Sequence, residues 1–120
     1  RCRWLTDFIP VEQIGDLFAA CDATLLTYNS SFRSASGVLN AAVAYGRPCI
    51  ASSGQGNLRS MVLRYGLGVF VEPDDCAAIQ DGIRRWLAGI PEPRWENYAR
   101  DNSWEMNATV VCERMWGHPK

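Results

Sequence analysis

Along the chain, apolar positions switch repeatedly between the two-residue period of a strand and the 3.6-residue period of a helix. Residues 3–8 read as a short extended segment ending at Ile9-Pro10. Val11, Ile14, Leu17, Phe18 and Cys21 then fall at helical spacing, with Pro10 suited to a first turn. Residues 23–28 (Ala-Thr-Leu-Leu-Thr-Tyr) predict a buried strand, and a polar loop covers 29–34. A helix that is apolar nearly all round follows over 37–45, stopped by Gly46 and Pro48. Residues 49–52 predict a second buried strand. The turn Ser53-Gly54-Gln55-Gly56 leads to Asn57 as an N-cap, with its glycines expected to supply positive φ. Leu58, Met61, Val62 and Tyr65 form the next helical stripe, closed by Gly66, and Val69-Phe70-Val71 the last strand. Pro73-Asp74-Asp75 caps a helix that buries Ala78, Ile79, Ile83, Trp86 and Leu87. Beyond Gly89, residues 90–93 read as a linker. Asn102-Ser103 starts a tail helix striped by Trp104, Ala108, Val111 and Met115.

Strands alternating with helices predict an α/β fold: a Rossmann-like, doubly wound parallel sheet with helices on both faces, in a single partial domain. Residues 1–89 are expected to form that domain. Residues 90–120 are expected to be a linker and a C-terminal helix packing back on it, with Trp95 and Tyr98 docking the tail on the sheet or on a partner domain.

The length of 120 residues fits one domain, and 48% hydrophobic with 21% charged residues argues against disorder. A net charge of −1 leaves no electrostatic footprint for nucleic acid. No apolar run reaches the ~20 residues of a membrane span. The opening Arg1 suggests a piece of something longer. Cys2, Cys21, Cys49, Cys76 and Cys112 are odd in number and lack metal-ligand spacing, so reduced thiols in a cytoplasmic chain are expected, with no metal site. The lone His118 sits in a terminal Gly-Pro segment, which leaves Ser-His-Asp and Cys-His catalysis without a base.

In an open parallel sheet, ligands bind beyond the carboxyl ends of the strands. The loop after the Leu26 strand holds Asn29, Ser30, Ser31, Ser34 and Ser36, with Arg33 among them, and feeds the N-terminus of the next helix. Free N–H groups at that terminus attract anions, Ser36-Gly37 keeps bulk away, and Arg33 supplies a forked donor for phosphate. Arg33, Ser34, Ser36, Gly37 and Val38 are therefore the candidate diphosphate site, with Gly54, Gln55 and Gly56 as a neighbouring wall. The same residues also read as a simple helix cap (Ser34 or Ser36) beside a solvated charge. Neither loop is a Walker loop or a Gly-x-Gly-x-x-Gly. Asp74 and Asp75 read as caps.

The order of segments resembles the C-terminal, nucleotide-sugar-binding half of GT-B fold retaining glycosyltransferases. The matching residues are Trp4-Leu5-Thr6-Asp7-Phe8 with Val11-Glu12-Gln13-Ile14, then Ala20-Cys21-Asp22-Ala23-Thr24-Leu25-Leu26. Ala44-Tyr45-Gly46-Arg47-Pro48-Cys49-Ile50-Ala51-Ser52 is the most specific match, followed by 66–75 and Ser103-Trp104-Glu105. The resemblance implies a glycosyltransferase fragment that holds the diphosphate of a nucleotide-sugar donor, without metal or other cofactor. It implies a cytoplasmic location, or a membrane-peripheral one in the parent protein.

The family carries two glutamates eight positions apart, one at the donor sugar and one at the ribose. Arg33 and Ala41 hold those places here. The family fold needs on the order of 300 residues, so the acceptor domain is missing and the chain is not expected to turn over alone. In the family, further strands lie between the Trp4 strand and the Leu26 strand. Either these two pair directly here or another chain fills the gap, so the expected partners are a missing domain, another chain or a second copy. The alternative function is a degenerate, non-catalytic module for oligomerisation or scaffolding. A third reading is a flavodoxin-like or nucleotide-binding regulator unrelated to sugars.

Overall fold

Three of the four stretches that the sequence reads as extended form strands, each within a residue of its predicted bounds, and the helices between them return each strand to the same direction. A computed structural model describes residues 2–117; the reading of His118 lies outside the described residues. The order is α1 (Val11–Ala19), β1 (Thr24–Thr27), α2 (Gly37–Ala44), β2 (Cys49–Ser52), α3 (Asn57–Tyr65), β3 (Gly68–Phe70) and α4 (Cys76–Ala88). Two tail helices follow, α5 (Trp95–Asp101) and α6 (Trp104–Trp116). The strands form a parallel three-stranded sheet in the order β1-β2-β3.

β2 is central and all four of its residues are buried. Its side chains alternate between two cores, as a sheet covered on both faces requires. Cys49 and Ala51, with Leu26, pack against Leu39 of α2, Leu58, Val62 and Tyr65 of α3, and Tyr98 of α5. Ile50, with Val69 and Val71, packs under Ala78, Ile79, Ile83 and Trp86 of α4. α4 sits close because residue 82 is glycine: a Cβ there would lie 2.6 Å from Val71 Cγ1. Complete burial of a side chain such as Leu58 or Val62 is worth ~2 kcal/mol.

Punctuation follows local chemistry. α2 ends before Gly46 (φ 62°) and α3 at the left-handed Gly66 (φ 63°). Asp75 caps α4, accepting from the N–H groups of Ala77 (2.8 Å) and Ala78 (3.3 Å), and Ser103 caps α6 through Met106 N–H.

The two ends of the chain depart from expectation. Residues 3–8 form no strand; Trp4 and Phe8 are 85% and 89% exposed. α1 is amphipathic, yet none of its nine residues is buried. The tail packs back through α5, where Tyr98 is buried, and not through the last helix: α6 has no buried residue and leaves Trp104, Val111 and Met115 exposed. Its stripe has no surface of the described residues to cover it. Among the described residues no helix is long and apolar enough to cross a membrane.

Candidate functional site

All three strands point their carboxyl ends at the same rim, so the segments after β1, β2 and β3 meet there. The segment after β1 is shaped by its own side chains. Tyr28 stacks on Phe32 (3.9 Å between centroids), and Asn29 Oδ1 accepts from the N–H and hydroxyl of Ser31 (3.1 and 2.6 Å). The Tyr28 and Ser36 hydroxyls share a hydrogen bond (3.2 Å), and Ser52 Oγ donates to Tyr28 O (2.8 Å). Ser36 is buried and caps α2, accepting from Leu39 N–H (3.3 Å).

The segment after β2 is clamped against it. Gly54 N–H donates to Phe32 O (3.0 Å), Asn57 N–H to Arg33 O (3.4 Å) and Leu58 N–H to Ser34 O (3.3 Å). A Cβ on Gly54 would sit 2.1 Å from Ser30 O, and one on Gly56 2.1 Å from Arg33 O. Neither glycine has the positive φ expected from the sequence; the turn uses glycine because two backbones touch. Asn57 is the first residue of α3, and the cap position belongs to Gly56.

The segment after β3 closes the ring. Asp74, in the left-handed region at φ 62°, accepts from Ser30 N–H (3.0 Å); hydrogen bonding from Ser30, its side chain first and its N–H second, holds the Asp74 carboxyl below the usual range.

The backbone of Arg33 is thus brought against Gly56 and that of Ser34 against Leu58, while Ser36 and Gly37 follow at the start of α2. The Arg33 side chain is exposed and makes no hydrogen bond or ion pair with the described residues. Ser36 uses its Oγ and its carbonyl on Leu39 and Asn40 N–H, so the N–H groups of Gly37 and Val38 are the unpaired donors of α2. Nothing lies within 4 Å of a Cβ placed on Gly37. The neighbouring wall contributes shape more than donors: the Gly54 N–H is already committed, and Gln55 Oε1 is held by Arg59 (3.0 Å). Val38 sends its side chain away from the rim, into an apolar groove that Ala41 also lines.

Behind Ser36 lies a cavity of about 180 Å³ that sequence reasoning missed, reached by Asn40, Asn57, Tyr98 and Asn102. Tyr98 OH donates to Asn40 Oδ1, and Asn102 Nδ2 to Tyr98 O (2.9 Å). Burial raises the Tyr98 phenol, as it does that of Tyr65, whose hydroxyl donates to Asp101 Oδ2 (2.9 Å). Only the aromatic character of the tail hinted at this contact, because Asn40 and Tyr98 are 58 positions apart.

Comparison with protein-family models, with curated proteins and with solved structures found no match.

Proposed function

We propose that this chain is the nucleotide-sugar-binding part of a GT-B type glycosyltransferase, a Rossmann-like unit whose rim at 31–38 takes the donor diphosphate. The observation that carries the reading is the α2 terminus. Two unpaired N–H groups, Gly37 and Val38, follow a few residues after Arg33, whose side chain has no partner, in a loop clamped by the glycines of the next turn. Unpaired N–H groups and the positive end of the helix favour a phosphate oxygen, and a guanidinium adds a bidentate donor. Held there, a diphosphate leaves more easily as the glycosidic bond breaks, because its growing charge meets fixed donors. No metal or other cofactor is part of the proposal. The acceptor side comes from another domain or chain, and the site works in the cytoplasm or at the periphery of a membrane.

The test is a titration of isotope-labelled chain with UDP, GDP and pyrophosphate, read on backbone amides. Saturable shifts at Gly37, Val38 and their neighbours support the reading. The Arg33→Ala variant is expected to bind roughly 10- to 100-fold more weakly, the loss of a charge-assisted bond. Unshifted amides at millimolar ligand refute it.

One observation favours the second reading, a non-catalytic assembly module. Ala41, which stands where the family has its ribose glutamate, lines an apolar groove with Leu17 and Phe18. Under that reading the titration is silent and the groove is the working surface.

A further inference from the structure

Parallel strands leave half of their backbone groups facing each neighbour. Thr24 and Tyr28 N–H donate to Pro48 O (2.9 Å) and Ser52 O (3.1 Å) of the β2 side. With a period of two, the N–H groups of Leu25 and Thr27 therefore face outward from the sheet. β2 lies on the other side, so this edge is unpaired among the described residues.

The edge is also roofed on one face. α1 leans on the end of α2 through Phe18 stacked on Tyr45 (5.2 Å). Together the two helices and β1 enclose an apolar groove of about 680 Å³, lined among others by Leu17, Phe18, Thr24 and Val38. Thr24 Oγ1 is buried there without a hydrogen-bond partner. Leu25, which pairs in register with Ile50 on the opposite face of the sheet, borders the groove at the edge and is 57% exposed. A strand that fits carries its large aromatic groups on the roofed face and its charges on the other, where Leu25 can take an apolar neighbour.

Residues 3–8 have that pattern. Trp4, Thr6 and Phe8 alternate with Arg3, Leu5 and Asp7. The first set places two large apolar groups and one hydroxyl under the roof, with Thr6 available to Thr24 Oγ1. The second set places both charges on the open side. None of residues 3–8 makes a hydrogen bond to the described residues. Ile9, which follows them, already lines the groove, and a two-residue link from strand to α1 is an ordinary length.

We infer that residues 3–8 close onto the β1 edge as a fourth, parallel strand, an internal strap that extends the sheet to 3–8/β1/β2/β3. With α1 on the same face as α2, the resulting strand–α1–β1 unit would share the hand of β1–α2–β2, as the rule for such connections requires. A foreign strand would need the same one-sided pattern, and the segment that has it is tethered at the mouth of the groove.

Amide hydrogen exchange on the intact chain tests this. Closure predicts that Leu25 and Thr27 exchange roughly 100-fold more slowly than free amides, independent of protein concentration. The Trp4→Asp/Phe8→Asp double variant is expected to abolish that protection while Ile50 stays protected. Arg3→Glu/Asp7→Lys, which alters only the open side, is expected to preserve it. Unprotected Leu25 and Thr27 in the native chain overturn the proposal, as does protection that survives the double variant. Protection lost on dilution overturns it too, by assigning the edge to a second copy.

Discussion

Replacing Gly56 with alanine tests whether the rim is held by backbone contact. The backbone at 56 is extended (φ 172°), so alanine is conformationally acceptable and only space opposes it. The new Cβ would stand 2.1 Å from Arg33 O, and ordinary contact begins at 3.4 Å. The loop after β1 must therefore retreat by about 1.3 Å. The bonds from Asn57 and Leu58 to Arg33 O and Ser34 O are already 3.4 and 3.3 Å, and both pass out of range. Two bonds at about 1 kcal/mol each, with residual crowding, are offset by roughly 0.5–1 kcal/mol of unfolded-state entropy. The expected net loss is about 2 kcal/mol. Gly37→Ala is the matched control, since its Cβ meets nothing within 4 Å and alanine favours a helix. It is expected to be neutral or stabilising by up to ~1 kcal/mol. Urea unfolding followed by circular dichroism reads both: Gly56→Ala should lower the midpoint by about 1 M, given slopes of ~1–3 kcal/mol/M. A Gly56→Ala midpoint within 0.2 M of the parent would refute the clamped-rim reasoning.

Other expectations follow from the same contacts. Asp74 is held low by hydrogen bonding from Ser30, its side chain first and its N–H second, so this contact stabilises the fold above the usual carboxylate value and is lost as pH falls through the depressed value. Urea midpoints between pH 7 and pH 2 should fall less steeply in Asp74→Asn than in the parent. Asp101 is held low first by the Tyr65 hydroxyl and then by Arg100. In Tyr65→Phe its carboxyl should titrate higher, as carbon-detected NMR would show. Burial pushes the Cys49 thiol up to about 12, so a thiol reagent at pH 8 should label Cys2, Cys76 and Cys112 and reach Cys49 only after unfolding.

The alternation of β1, α2, β2, α3, β3 and α4 was legible because each element carries its own period and its own stop. Gly46, Gly66 and Asp75 act within one turn of the chain. What escaped the sequence depends on partners far along it. Ser30 meets Asp74 across 44 positions and Tyr65 meets Asp101 across 36, and no local pattern encodes either. Residues 3–8 carry strand-like alternation, but a strand exists only by pairing, and in the structure they pair with nothing. The α6 stripe shows the same gap between pattern and contact. At the rim, the residues Arg33 to Gly37 are candidates from composition and placement alone. The role of Gly54 and Gly56 was misread, because a glycine chosen for close approach looks in sequence like one chosen for its φ.

The bond between Asp74 and Ser30 makes the rim a linked system. A proton on Asp74 and a ligand on the loop after β1 act on the same hydrogen-bonded segment, so neither equilibrium is independent of the other. If the latched loop binds a ligand more tightly by some factor, the bound ligand lowers the proton affinity of Asp74 by that same factor. The carboxyl of Asp74, one segment away from Arg33, thereby becomes a reporter of occupancy that touches no ligand.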